Sequence, residues 1–179
     1  MPRKLIVYIA SSLDGYIAGP NDDLSFLSIV EKEGQDYGYS KFLDSVDTVI
    51  LGRKTYDWVI KNAGELSYPN QKVFVITRNK KENYGKVEFY NQDLKELVEN
   101  LKSTEGKDIF CDGGAEIVNY LLSNNLVDEL VISIIPTLLG QGVRLFQDKK
   151  LKHKLNLIST EQFETGLVQL KYKIIQQIL

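Results

Sequence analysis

The residues of this 179-residue chain whose types and spacing could do chemistry gather in four short stretches. In "IFCDGGAEIVNYLL", residues 109–122, Asp112 and two adjacent glycines, Gly113 and Gly114, separate an apolar run from an apolar-striped helix. Relief of crowding in a strand-to-helix turn would explain the glycines. So would a ligand, because glycine lets backbone N–H groups come close and a helix start is a natural seat for phosphate. In "LGRKTYDWV", Gly52 ends a strand, and Arg53, Lys54 and Thr55 open the helix that follows. Cations in a first helical turn oppose the helix dipole, and a bound anion reverses that sign. "VITRN" puts Thr77 and Arg78 at another strand end, where an arginine can grip phosphate with a two-pronged fork. The fourth stretch, "SSLDGYIAGPNDD" at 11–23, has two glycines, a proline and three aspartates, and is expected as a long, mobile connection.

Three separate strand ends thus offer a glycine-lined anion seat or an arginine, as a dinucleotide with an additional ribose phosphate requires. The acid that hydrogen-bonds an NAD ribose is not evident after these strands, whereas Arg53, Lys54 and Arg78 are. The balance favours NADPH over NADH. No metal is expected from a chain with one His and one Cys. Cys111 lies in an apolar run and reads as a buried, inert thiol, in keeping with a reducing cytoplasmic setting. His153, in "KKLKHKL", reads as solvated. Tyr37, Tyr39 and Trp58 are open to two readings, pocket wall or core.

Positioning these strand ends requires a sheet. Apolar runs bounded by turn residues recur at 5–10, 48–52, 72–78, 86–90, 107–111 and 127–136. Between them, Leu94, Leu97, Val98 and Leu101 share one helical face, with Asn91 or Asp93 as N-cap, and Ile117, Val118, Leu121 and Leu122 repeat the pattern over 115–124. Near-continuous apolar strands alternating with amphipathic helices imply a mainly parallel sheet covered on both faces. The end of the chain changes character: "LNLISTEQF", a Glu164-Thr165-Gly166 turn and the alternating "LVQLKYKII" predict an antiparallel hairpin. The expectation is a mixed α/β domain, one unit over 1–179.

Bulk composition removes several function classes. With 43% hydrophobic and 26% charged residues and a net charge of -2, the chain has no global positive field for nucleic acid or an anionic membrane surface. The apolar part of "MPRKLIVYIASS" is short, so a strand is expected there rather than a signal peptide. No apolar run has the length of a membrane span.

The four stretches together resemble the dihydrofolate reductase superfamily, and more closely the reductase domain of the bifunctional riboflavin-biosynthesis deaminase-reductase and its stand-alone relatives. "SLDGYIAG" is similar to the family's first strand and loop, "VILGRKTYDWV" to its cofactor-phosphate turn and "VITRN" to its adenosine-phosphate contact. "DGGAEIVNYLLSNNLVDELVISIIPTLLGQGVRLF" is similar to its most specific signature. The resemblance implies a three-layer α/β/α dihydrofolate reductase-like domain whose mixed, mainly parallel central sheet ends in an antiparallel C-terminal hairpin. It also implies an NADPH-dependent reductase, cytoplasmic and usually homodimeric, that passes hydride to a carbon–nitrogen double bond of a small molecule. By position, Ala10 would touch the cofactor and Ile17 and Ala18 would sit near the nicotinamide. Gly52, Arg53, Lys54 and Thr55, with Thr77 and Arg78, would hold the adenosine phosphates. Gly113, Gly114, Ala115, Glu116 and Ile117 would hold the pyrophosphate.

Departures from the family patterns separate its branches. Asp23-Leu24-Ser25-Phe26 stands where dihydrofolate reductases have a Pro-Trp pair. Their pterin-holding acid has its nearest counterpart in Asp36, 16 residues before Gly52, and Asp36 is therefore a catalytic candidate. Asp112 occupies the position of the riboflavin branch's carboxylate before the paired glycines. It could hydrogen-bond an amino-sugar substrate or relay a proton, or instead cap the helix behind it. The zinc ligands of the companion deaminase have no counterpart here. The primary substrate candidate is a phosphorylated ribosylamino-pyrimidine, 5-amino-6-(5-phosphoribosylamino)uracil, with dihydrofolate as runner-up and a non-catalytic NADPH-binding module as the third reading.

Overall fold

The parallel sheet that the apolar runs demand is present. The structure, a computed structural model, describes residues 2–147 and 151–175. The strands are β1 (Leu5–Ser12), β2 (Tyr16–Ala18), β3 (Val46–Gly52), β4 (Lys72–Ile76), β5 (Val87–Tyr90), β6 (Asp108–Gly113), β7 (Glu129–Ile135), β8 (Val143–Arg144), β9 (Lys154–Gln162) and β10 (Val168–Ile175). The helices are α1 (Tyr39–Asp44), α2 (Arg53–Ala63), α3 (Leu94–Ser103) and α4 (Ala115–Ser123), and two short 3-10 turns cover 20–22 and 25–30.

Eight strands form one sheet in the order β5-β4-β3-β6-β1-β7-β10-β9. The six from β5 to β7 are parallel, and β10 and β9 close it antiparallel, as the terminal hairpin predicted. Because the inner strands are covered on both sides, they read as nearly unbroken apolar runs. Leu5 and Val7 of β1, with Ile109 and Cys111 of β6, pack under α3 and α4. On the other face, Val49, Leu51, Val75 and Phe110 pack with Tyr39 and Phe42 of α1 and Tyr56 of α2.

The alternation that builds these layers also sorts the polar side chains. Tyr8 and Ala10 project from β1 on the α1 face, next to Ser133 and Ile135 of β7, with Ala10 in register with Ser133 and Ser133 in register with Gln169 of β10. The opposite end of the sheet is locked by buried Arg3, which pairs with Asp47 and donates to Thr48 Oγ1 at 2.8 Å and to the Lys107 carbonyl at 2.6 Å.

The first connection carries more structure than a free loop. Asp14 accepts hydrogen bonds from Ser12 Oγ at 2.6 Å and from the amides of Leu139 and Gly140 at 3.1 and 2.7 Å, which tether residues 12–18 to the strand exit of β7. β2 then pairs antiparallel with β8, and a Cβ on Gly142 would lie 2.1 Å from the Ala18 carbonyl oxygen, so only glycine permits that approach. Among the described residues, no helix is long and apolar enough to cross a membrane.

Candidate functional site

The parallel strands end together, and the two glycine-bearing stretches meet there. β3 ends at Gly52, the N-cap of α2, and β6 ends at Gly113, one residue before Gly114, the N-cap of α4. Gly113 sits at φ 107, and the Gly113–Gly114 peptide is cis. A Cβ on Gly52 would lie 3.2 Å from Ile117 Cγ1 and 3.6 Å from the Gly114 nitrogen, and one on Gly114 would lie 3.3 Å from Thr55 Oγ1. Gly52, Thr55, Gly114 and Ile117 therefore meet, with Gly113 beside them, where the two helix N-termini come together. Neither N-terminus has a side-chain cap, whereas α3 is capped by Asp93, which accepts from the Lys95 and Glu96 amides. The N-cap alternative for Asp112 is thus corrected: Gly114 occupies the cap, and Asp112 belongs to β6.

The remaining cofactor candidates are spread around that meeting point. Ile76 is in register with Gly52, which puts Thr77 and exposed Arg78 just beyond the neighbouring strand end. Arg53 Nε donates to both Asp57 carboxylate oxygens, at 2.7 and 2.8 Å, and its guanidinium lies 5.8 Å from the centre of the Phe89 ring. Lys54 and Glu116 are exposed, and Ala115 is buried at the start of α4. Ile17 packs with Ile9 and Ile117 against the core beneath α3 and α4, while Ala18 pairs with Val143. Ala10 falls on the other face of the sheet and lines a cavity there.

Asp112 is held differently from a surface acid. Tyr68, from the loop after α2, donates its hydroxyl to Asp112 Oδ2 at 2.5 Å. Burial pushes the Asp112 carboxyl up to about 6, and the Tyr68 hydrogen bond opposes that rise by favouring the ionised form. Burial, with the Asp112 charge alongside, raises the phenols of Tyr68 and Tyr39 well above the ordinary range. A carboxyl poised near neutrality at a strand end can hold a proton and release it. Neighbouring Cys111 is fully buried and its thiol is pushed up to about 12 by burial, so it stays a packed thiol.

Asp36 is a contrasting case. It is exposed, and its two oxygens accept the amides of Gly38 and Ser40, both at 3.0 Å. Those bonds, the ones to Ser40 foremost, hold its carboxyl below the usual range. It is a fixed anion at the entry to α1.

Asp36 also stands on the rim of a cavity of about 580 Å³. Tyr8, Ala10, Ser133 and Ile135 make its floor, Leu27, Val30 and Leu167 its apolar walls, and Tyr37 and Tyr39 its aromatic side. Gln169 fixes the floor: its amide donates to Tyr8 Oη at 2.9 Å and to Ser133 Oγ at 3.1 Å, while Tyr8 donates to the Tyr37 carbonyl at 3.1 Å. Of the aromatic residues left open by sequence, Tyr37 and Tyr39 line this cavity, and Trp58 is not among its lining. Tyr68, Tyr8, Ser133 and Gln169 went unnoticed in sequence. A hydroxyl in the middle of the apolar run "LIVYIA" was the available signal for Tyr8. Among the described residues, no group of three or more His, Cys, Asp or Glu side chains is arranged to hold a metal ion.

Comparisons with known proteins bear on the family and the fold. The chain is 39% identical over 173 residues to the uncharacterised protein YwjB of Bacillus subtilis (strain 168), covering 96% of this chain and 98% of the relative. It is 33% identical to the uncharacterised protein YyaP of the same organism, covering 95% and 94%. Among solved structures it resembles a Shewanella sp. PV-4 protein provisionally assigned to riboflavin biosynthesis, with a TM-score of 0.84, 32% identity and coverage of 98% and 100%. The Thermotoga maritima diaminohydroxyphosphoribosylaminopyrimidine deaminase/5-amino-6-(5-phosphoribosylamino)uracil reductase shares the fold, with a TM-score of 0.71 at 16% identity over 97% of this chain and 57% of that one. The family model of the RibD C-terminal domain matches residues 3–169, a span that takes in both helix N-termini, Asp112 and the cavity floor as far as Gln169, and the chain belongs to that family.

Proposed function

We propose that this protein is an NADPH-dependent reductase of the riboflavin-pathway type, passing hydride to a small heterocyclic or amino-sugar substrate. The observation that carries the proposal is the pair of uncapped N-termini of α2 and α4, which meet so closely that a Cβ on Gly52 would press on Ile117 and one on Gly114 on Thr55; in this reading a cleft in front of them receives the ligand. Such a cleft suits a pyrophosphate, since its backbone N–H groups and both helix dipoles favour negative charge. In this reading Gly113, Gly114, Ala115, Glu116 and Ile117 cradle the pyrophosphate. Gly52, Arg53, Lys54, Thr55, Thr77 and Arg78 surround the adenosine phosphates, and Ile17 and Ala18 border the nicotinamide. Ala10, which lines the cavity, touches the cofactor from that side. Bound NADPH supplies the hydride.

The protein's own contribution is orientation and a proton. The cavity holds a flat substrate against Tyr8 and Ala10, and Asp112, one strand away, supplies a proton to the nitrogen of the reduced bond. Membership of a family that includes reductase domains supports this reading. The cytoplasmic homodimer implied by the resemblance belongs to it too. Leu155 and Leu157, 40% and 51% exposed on edge strand β9, support a second copy, and sedimentation would measure it.

Trp58, half-buried, sits on α2, the helix whose N-terminus borders the proposed phosphate seat, and is the chain's single tryptophan. Its fluorescence should be quenched by NADPH and respond weakly to NADH, and indifference to both nucleotides would remove the proposal. Tight NADPH binding without oxidation across a panel of imines, dihydrofolate included, would favour the non-catalytic module.

A further inference from the structure

We infer that the cavity beside the groove selects a flat ring that is neutral or cationic and carries no phosphate or carboxylate; the inference rests on the reductase reading and narrows its substrate class.

The walls set the shape. A space of about 580 Å³ bordered by Tyr8, Tyr37, Tyr39, Leu27, Val30 and Leu167 fits a one- or two-ring heterocycle with a short substituent. A dianionic tail needs arginine or lysine forks, or free amides at a helix start. The charged groups lining the cavity, among the described residues, are the carboxylates Glu31, Glu33 and Asp36 and a single ammonium, Lys32. Lys32 is itself engaged, with Nζ 2.5 Å from Glu164 Oε2.

The backbone amides at the start of α1 are taken as well. Asp36 accepts those of Gly38 and Ser40, so the place an anion would use is filled by the protein's own carboxylate. On the floor, the Tyr8 proton is directed at the Tyr37 carbonyl and the Gln169 amide at Tyr8 and Ser133. The cations that do stand near the strand ends, Arg53, Lys54 and Arg78, belong to the stretches that form the α2 side of the cleft. Charge is therefore divided between the compartments: positive where phosphates of the cofactor would lie, negative where the substrate would enter. A phosphorylated ribosylamino-pyrimidine, or a folate with its glutamate carboxylates, would bring its anionic end to the wrong compartment.

Equilibrium dialysis of the protein loaded with oxidised NADP, which cannot donate hydride, tests the inference with two matched pairs: 5-amino-6-(ribosylamino)uracil against its 5′-phosphate, and dihydropterin against dihydrofolate. At low salt the neutral member of each pair should bind at least tenfold more tightly, and the gap should shrink as salt is added. In the Glu31→Gln/Glu33→Gln variant the preference for the neutral member of each pair should shrink, through tighter binding of the anionic member. Tighter binding of an anionic member, or no binding by either neutral one, would overturn the inference. Trp58 quenching by NADPH, measured on the same preparation before loading, separates this failure from that of the cofactor reading, which fails if the nucleotide does not bind.

Discussion

The Tyr68 hydroxyl donates to Asp112 Oδ2 across 2.5 Å, so a loop residue beyond α2 restrains the carboxylate at the end of β6. Two opposed effects meet in that pair. Burial favours the neutral acid, the phenol favours the carboxylate, and burial wins, because the group settles at about 6 rather than the ordinary 3.8. Asp36 shows the opposite balance, because hydrogen bonds from Ser40 and Gly38 hold its carboxyl below the usual range.

Asp112→Asn is the direct test of that balance. If protonated Asp112 supplies the proton, wild-type kcat should fall as pH rises through about 6, and the variant should bind NADPH normally, turn over at least tenfold more slowly and lose the pH dependence. Full activity in the variant would reduce Asp112 to a structural role. Stability gives an independent reading. A carboxyl raised in the fold contributes stability that is complete below the unfolded value and lost as pH rises through the folded one. The variant should therefore outlast wild type at pH 8 by at most about 3 kcal/mol and show no advantage below pH 4, as measured by urea denaturation.

Tyr68→Phe tests the phenol's part. Because its hydrogen bond lowers the Asp112 value, its removal should raise that value further. The descending limb of the kcat profile should then move to higher pH, with the Michaelis constant for NADPH unchanged. A limb that stays in place would mean that the hydroxyl does not govern the acid.

How much of this could be read beforehand depended on the range of the interaction. The parallel runs, the α3 and α4 stripes and the hairpin are local patterns, and each element lies within a few residues of its expected bounds. The groove glycines were legible for the same reason, since each belongs to one continuous strand–turn–helix unit, β3–α2 or β6–α4. Tyr68 was not. Its partner is 44 positions away and its own segment, "LSYPNQ", has no period. Gln169 reaches Tyr8 from 161 positions away, across three strands whose order no single sequence reveals. The Asp112 ambiguity had another cause: a cap and a relay use the same residue type at the same distance from a helix, and only the observed cap at Gly114 separates them.

Gly52→Val probes the cleft without backbone strain. Gly52 has φ -75 and ψ 154, values open to any residue, yet its Cβ would press on Ile117 at 3.2 Å and approach the Gly114 nitrogen. The added methyl groups should narrow the gap between the two helix N-termini and weaken NADPH binding at least tenfold, while the melting temperature drops by only a few degrees. Calorimetric titration with the nucleotide decides it. Unchanged affinity would move the pyrophosphate elsewhere.

Arg78→Ala asks which cation reads the additional ribose phosphate. Arg53 is already committed through Nε to Asp57, whereas Arg78 stands exposed past the end of β4, two residues beyond Ile76, the residue in register with Gly52. If Arg78 makes a charge-assisted hydrogen bond to that phosphate, its removal should narrow the preference for NADPH over NADH by about 1.5 to 3 kcal/mol, with NADH affinity unaffected. Dissociation constants for both nucleotides, taken from Trp58 quenching, give the ratio directly. A ratio that survives in Arg78→Ala but collapses in Arg53→Ala or Lys54→Ala would assign the phosphate to the first turn of α2, where the helix dipole adds to the pull of the side chain.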